Sequence, residues 1–189
     1  YRVMPRPVLG DGALQARAVE PGDIEAIRAW RNAQMDVLRQ SEAISPQAQA
    51  AYFRDHIWPD KASLKPANIL LALERDGRLI GYGGLVHIAW DYGRAEVSFL
   101  LETSLADDRT LLAQTFPGWL RMMQSLAFSD LGLNRLTTET YAMRHDHIAL
   151  LEAAGFQREG VLRDHVRVNG AVMDAILHAR LASDPEPGS

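Results

Sequence analysis

Two glutamates, a run of histidines and a pair of arginines stand where a side chain could move a proton or hold an anion. Glu96 lies in AEVSFLLE between Ala95 and Val97, and strand alternation turns it to the face opposite Val97 and Phe99. Glu139 alternates in the same way with Thr138 and Thr140. A strand-borne carboxylate of this kind can accept a proton from a nucleophile or can pair with an arginine across the sheet. The tetrapeptide Arg144-His145-Asp146-His147 opens a helical pattern. His147 carries an imidazole whose charge small environmental effects decide near neutrality, and Arg144 carries a fork suited to phosphate. The plainer reading of RHDH is a solvated helix start with Asp146 favourable to the helix dipole. Arg109, directly after Asp107 and Asp108, is a second cation at a helix start, and either aspartate can cap that helix. His87, in an apolar strand, reads as a core histidine.

Other chemistries find no support. There is no cysteine, which removes disulfides, thiolate metal sites and a cysteine nucleophile. The HDH triplet has no third ligand nearby, so no zinc site is expected, and the serines lack a nucleophile elbow. Gly81, Gly83 and Gly84 fall inside a strand pattern rather than before a helix, so they predict a bulge or a close backbone approach, not a dinucleotide loop. The net charge of -4 and pI near 5.9 disfavour nucleic acid as a partner. No apolar run approaches the roughly 18 residues needed to span a bilayer, and no signal-peptide pattern opens the chain. A cytoplasmic protein with no membrane association is expected.

The elements that must position these residues follow from periodicity and punctuation. At 189 residues, with 47% hydrophobic and 23% charged residues, the chain suits one domain with a core. Residues 1–12 read as an irregular arm, 13–183 as the domain and 184–189 as a tail. A first strand is expected over Ala13 to Val19, then a helix from an Asp23 cap to about Gln40, carrying Trp30-Arg31-Asn32. Ser45-Pro46 starts a second helix to about Trp58, followed by a loop over 59–67. Two strands joined by Asp76-Gly77 form a hairpin, and Ala95 to Glu102 is the next strand. Helix follows from Thr110 to Leu131, bent or started near Pro117. A strand over Asn134 to Tyr141 leads to a helix from His145 to Ala154, stopped by Gly155. Phe156 then plugs the core, and EGVLRDHVRV turns through Asn169-Gly170 into AVMDAILHARL. Trp30, Tyr52, Phe53 and Trp58 form either an acceptor pocket or an ordinary aromatic core.

That order, together with Gly155-Phe156, Glu159-Gly160, Arg163, Asn169-Gly170 and Asp174, resembles the GNAT superfamily of N-acyltransferases. The nearest branch in pattern contains ribosomal-protein N-terminal and amino-sugar acetyltransferases, and the likeness spans about residues 13–183. It implies an α/β (α+β) fold with a single mixed, mostly antiparallel central sheet flanked by helices. It also implies transfer of an acetyl group from acetyl-CoA, as co-substrate, to a primary amine on a small molecule, amino sugar or peptide. Family members draw a base from the fourth or fifth strand, which points to Glu96 and Glu139, and a thiol-side donor from the following helix, where His147 stands. Leu151 and Val166 occupy positions that in relatives carry a proton donor and a glutamate. The diphosphate of the donor is usually held by backbone amides in a glycine-rich loop, yet ETSLADDRTLLAQTFPGW has no glycine before Gly118. Leu100, Leu101, Arg109, Thr110, Leu111 and Arg144 are the positions through which the donor would be held instead. An alternative is a degenerate GNAT-fold interaction module with weak or no acetyl-CoA binding, and a homodimer is compatible with either.

Overall fold

The computed structural model describes residues 1–186, in which eight strands form one sheet with the order β1-β2-β3-β4-β5-β6-β8-β7. The strands are β1 (Val8–Asp11), β2 (Leu14–Ala18), β3 (Ile69–Arg75), β4 (Arg78–Ala89), β5 (Arg94–Leu101), β6 (Arg135–Tyr141), β7 (Gln157–Val168) and β8 (Ala171–Leu181). The helices are α1 (Ile24–Ala33), α2 (Pro46–Tyr52), α3 (Trp58–Ala62), α4 (Arg109–Gln124) and α5 (His145–Ala153). Every strand pair is antiparallel except β5–β6, which α4 connects as a parallel crossover. This is the mixed, mostly antiparallel sheet that the family resemblance implies.

Both faces of the sheet are covered. On one, Leu71, Leu73, Leu85 and Leu136 pack with Leu112, Phe116, Trp119 and Met123 of α4 and with Leu151 of α5. On the other, Leu70, Tyr82 and Leu100 pack with Ile27 of α1 and with Phe53 and Ile57 of the helical segment after α2. Alternation along β3–β5 sends neighbouring side chains to opposite layers, so one strand serves two cores. The hairpin signals are realised: Asp76 and Gly77 (φ 53 and 75), like Asn169 and Gly170 (φ 49 and 82), take the paired left-handed conformations of a type I′ turn.

The glycines of β4 mark close approach. A Cβ at Gly83 would collide with the Ser98 carbonyl oxygen of β5, and one at Gly84 with the Ile69 carbonyl oxygen of β3. Only hydrogen fits between these backbones, which holds β4 tight to both neighbours next to the cleft.

Three boundaries differ from the sequence reading. Val8–Asp11, within the expected irregular arm, forms β1 and pairs with β2. Gly10 takes φ 81 there. The first helix ends at Ala33 rather than Gln40, because Gln34 leaves helical geometry and its side-chain amide reaches the Leu101 carbonyl of β5 (2.9 Å). Helix persists beyond Trp58 into the expected loop. A wide turn over Phe53–Ile57 precedes α3, whose first turn accommodates Pro59. The long helix likewise passes Pro117 and finishes in a wide turn over Ser125–Asp130. The final residues of the expected tail, 187–189, lie outside the described residues.

Candidate active site

The parallel pairing of β5 with β6 lasts for three residue pairs, Arg94 with Arg135, Ala95 with Leu136 and Glu96 with Thr137. Beyond Glu96 and Thr137 the strands diverge, and β5 runs on to Leu101 with one edge released from the sheet. Glu96 marks the vertex of this V. Glu139, two residues past Thr137 on the other arm, projects to the same face. Arg39 spans them: its guanidinium is hydrogen-bonded to Glu96 and lies 3.6 Å from Glu139 Oε2. The sequence offered for Glu96 either a proton-handling role or an arginine pair, and the structure supplies the pair.

Glu139 is held differently. Its side chain is 14% exposed, and Oε1 is buried with no hydrogen bond. His165 Nε2 on β7 is 3.4 Å from that oxygen, without hydrogen-bond alignment, and is itself 40% exposed. An unsatisfied buried carboxylate oxygen is costly to fold around, and a carboxylate so placed has an open lone pair that a proton could take.

The Trp30-Arg31-Asn32 tripeptide explains how Arg39 reaches the vertex. Asn32 donates to the Ile44 carbonyl (2.9 Å) and accepts from the Ile44 amide (2.8 Å) and from Gln40 (2.9 Å), so one side chain ties down the segment carrying residues 39–44. Arg31 donates to Gln40 Oε1 (3.0 Å) and to the Tyr82 hydroxyl (2.9 Å). The motif therefore fastens a loop onto the mouth of the cleft.

An aromatic partition stands within the V. Phe99 packs on Phe116 (ring centroids 4.7 Å apart) and on Trp119 (5.7 Å), and His147 closes against Phe116 (5.0 Å) and Phe99 (6.3 Å). Trp119 Nε1 donates to the Ser98 carbonyl (3.1 Å), fixing β5 against α4. Arg144 Nη2 donates to His147 Nε2 at 2.5 Å. Because a guanidinium has no acceptor, this bond assigns the His147 proton to Nδ1. Burial, and then the adjacent Arg144, pull the His147 pKa down to about 3, so the ring is neutral at neutral pH. Burial also lowers Arg144 to about 10, with Asp36 opposing, and it remains charged.

Two cavities flank the partition. The first, of about 450 Å³, is lined by Thr103, Ala106, Asp107, Arg109, Arg144 and His147. Among the described residues Arg144 has no carboxylate within 4.0 Å, whereas Arg109 Nε pairs with Asp146 at 3.0 Å. Asp108 caps α4 by accepting from the Leu111 amide (2.9 Å), which leaves the Arg109 and Thr110 amides in the open first turn. A half-buried guanidinium without a counter-ion and the open first turn of α4 border this side, an arrangement that can receive an elongated anion. The means differ from a glycine-lined amide cradle. The second cavity, of about 640 Å³, lies between α1, α2 and strands β3–β5, with Tyr52, Tyr82 and Phe99 in its wall.

The expected residues are thus partly brought together. Glu96 and Glu139 meet at the vertex, and His147 and Arg144 are in contact. Arg109 lies at the rim of the first cavity and is 84% exposed, while Thr110 is exposed and outside the cavity's lining. Leu100 and Leu101 are buried in opposite cores, so only their backbone can meet a ligand, and the Leu101 carbonyl already accepts from Gln34. The Leu111 amide is taken by Asp108. His145 is exposed and outside the partition. His87 is not a core residue: it is exposed at φ 52 where the β4–β5 register shifts, and it faces the second cavity. The buried histidine is His178 of β8, 1% exposed. Arg39, His165 and the Phe99–Phe116 pair were not singled out by spacing, since they meet only through the β5–β6 splay. Trp30, Phe53 and Trp58 belong to the second core, while Tyr52 and Phe53 also reach the cavity.

Comparison with known proteins follows this geometry. The family model described as "Acetyltransferase (GNAT) domain" matches residues 16–177. A search of curated proteins found no significant match. Among solved structures, the chain is similar to spermidine N-acetyltransferase from Vibrio cholerae in complex with CoA and spermine, with TM-score 0.76 and 21% identity over 92% of this chain and 98% of that one. It is also similar to RimL, a ribosomal L7/L12 alpha-N-protein acetyltransferase in complex with coenzyme A, with TM-score 0.74 and 14% identity over 92% and 97% of the two chains.

Proposed function

This chain belongs to the GNAT acetyltransferase domain family, whose acyl donor is acetyl-CoA, and from that premise we propose that it acetylates a primary amine of a small molecule or peptide, with Glu139 as the base. The observation that carries the proposal is the buried, unsatisfied Glu139 Oε1 beside the opening of β5 from β6. Acetyl-CoA brings the activated acyl carbon; the chain's own residues do the rest. In the transfer the C–S bond breaks, a C–N bond forms, and the amine's proton goes to Glu139 Oε1. His165, 3.4 Å from that oxygen and half in solvent, passes the proton outward. Glu96 holds Arg39 at the vertex and so keeps one cation near the reacting groups.

On the other side of the partition, Arg144 and His147 serve the leaving sulfur. The neutral His147 offers Nδ1–H, and Arg144 balances the negative charge that develops as the thiolate departs. The diphosphate would rest against Arg144, Arg109 and the first turn of α4. Asp107 and Asp108 oppose that contact, which makes the degenerate interaction module the reading to exclude.

Purified protein is to be heated with and without millimolar acetyl-CoA, and free thiol release followed with a mixed panel of primary amines. A ligand at about a hundred times its dissociation constant stabilises by roughly 2.7 kcal/mol. Stabilisation with amine-dependent thiol release is expected. Absence of both would leave the interaction module.

A further inference from the structure

The second cavity holds an arginine with no carboxylate against it. Arg31, half-buried in its wall, is fixed by two neutral partners, the Gln40 amide oxygen and the Tyr82 hydroxyl. Tyr82 is fully buried, and burial raises its pKa above the usual phenol value, so it stays a neutral phenol. Among the described residues no carboxylate lies within 4.0 Å of Arg31, although ten other arginine or lysine side chains are so paired. The carboxylates near this space lie at its vertex or rim and none reaches Arg31: Glu139 is 3.6 Å from Arg39. Glu96 is bonded to Arg39, and Asp60 accepts from the Ala67 and Asn68 amides (both 2.9 Å). No Asp or Glu lines the cavity, whereas Arg31 and Arg39 both do.

Resting on the acetyltransferase reading above, we propose that the acceptor is an amine that also carries an acidic group, a carboxylate or phosphate, which Arg31 receives at the far end of this cavity. A half-buried guanidinium with no counter-ion is poised for a bidentate anion, because its desolvation has already been met by folding. A polycation of the spermidine type meets the opposite field. The spacing narrows the class further. Tyr82 pairs with Leu100 and Val86 with Glu96, so four residues of β5, about 13 Å of strand, separate the Arg31 anchor from the vertex where the amine loses its proton. An α-amino acid is too short to meet both ends. A peptide N-terminus with an acidic residue two or three positions on, or an extended amine bearing a terminal phosphate, spans the distance.

The test compares acetylation of Ala-Ala-Glu with Ala-Ala-Gln (both C-terminally amidated), 8-aminooctyl phosphate with 8-aminooctanol, and spermidine, using the whole chain. A kcat/KM about tenfold to a hundredfold higher for the acidic member of at least one pair is expected, with the preference shrinking as salt is raised. The pair that discriminates tells carboxylate from phosphate. Arg31→Gln should erase the preference, and Arg31→Lys should restore part of it, which separates charge recognition from a fold defect. Equal rates within both pairs, or a better rate for spermidine, would overturn the proposal while leaving acetyl transfer intact. If no amine turns over, binding decides: heat stabilisation by the acidic members over their neutral partners supports it, and stabilisation by neither overturns it even where acetyl-CoA itself stabilises the protein.

Discussion

The two cavities beside the Phe99–Phe116–His147 partition hold charge in contrasting ways. On the donor side, the half-buried Arg144 is set against a neutral histidine, while carboxylates crowd the rim: Asp107 and Asp108 before α4, and Asp146 paired with Arg109. On the acceptor side, the carboxylates are gathered at the vertex under Arg39, and the remaining wall is mostly aromatic or aliphatic, with Arg31 in it beside the uncharged polar groups of Gln49, Asn68 and Ser98. The difference teaches where each side's work lies. The acceptor side keeps one carboxylate oxygen unsatisfied for proton transfer, whereas the donor side keeps one guanidinium unsatisfied for an anion. Each is a local cost to stability that only a ligand can offset.

The sharpest way to break this contrast is to remove its unsatisfied carboxylate. Glu139→Gln should lower kcat by about 10²- to 10⁴-fold, the usual range for a general base, with the KM of acetyl-CoA little changed. Glu96→Gln should cost less, because its part is to seat Arg39. Steady-state kinetics of both variants settle the assignment, and equal losses in the two would remove Glu139 from its role. Next in size is the donor side. Arg144→Ala should raise the KM of acetyl-CoA about tenfold to a hundredfold, the worth of a charge-assisted contact of roughly 1.5–3 kcal/mol. An unchanged KM would place the diphosphate elsewhere.

How much of this was legible in the sequence follows the range of the interactions. The hairpins at Asp76-Gly77 and Asn169-Gly170, the stop at Gly155 and the close approach at Gly83 and Gly84 are local matters of backbone sterics, and residue type alone reported them. Glu96 and Glu139 were visible as candidates because strand alternation is also local. Arg39 was not, because its position depends on Asn32 tying down Ile44 and on two strands parting after three pairs. The early end of α1 escaped for the same reason: a single buried amide, Gln34, reaching Leu101 outweighs a helical pattern that continues past it. His87 was misplaced because a bulge turned its side chain out of an otherwise apolar strand.

The partition itself can be titrated. His147 has its folded pKa depressed to about 3, against about 6.5 unfolded, so between those values the unfolded chain binds the additional proton. Its contribution to stability is therefore complete above pH 6.5 and is lost progressively as pH falls toward 3. At pH 5 the loss is on the order of 2 kcal/mol. Urea unfolding at pH 7.5 and pH 5 should show this slope in the native chain and a shallower one in His147→Phe. Equal slopes would mean that the ring is solvated and the partition open.

The smallest effect separates the two meanings of Asp108. Its side chain satisfies the Leu111 amide as the cap of α4, and its charge also opposes any diphosphate at that helix end. Asn caps as well as Asp but carries no charge. Asp108→Asn should therefore keep unfolding stability within a few tenths of a kcal/mol and tighten acetyl-CoA binding a few-fold. Asp108→Ala should lose about 1 kcal/mol of stability with a similar gain in binding. If Asp108→Asn binds acetyl-CoA no better, the carboxylate lies outside the donor's field, and the diphosphate rests nearer Arg144 than the first turn of α4.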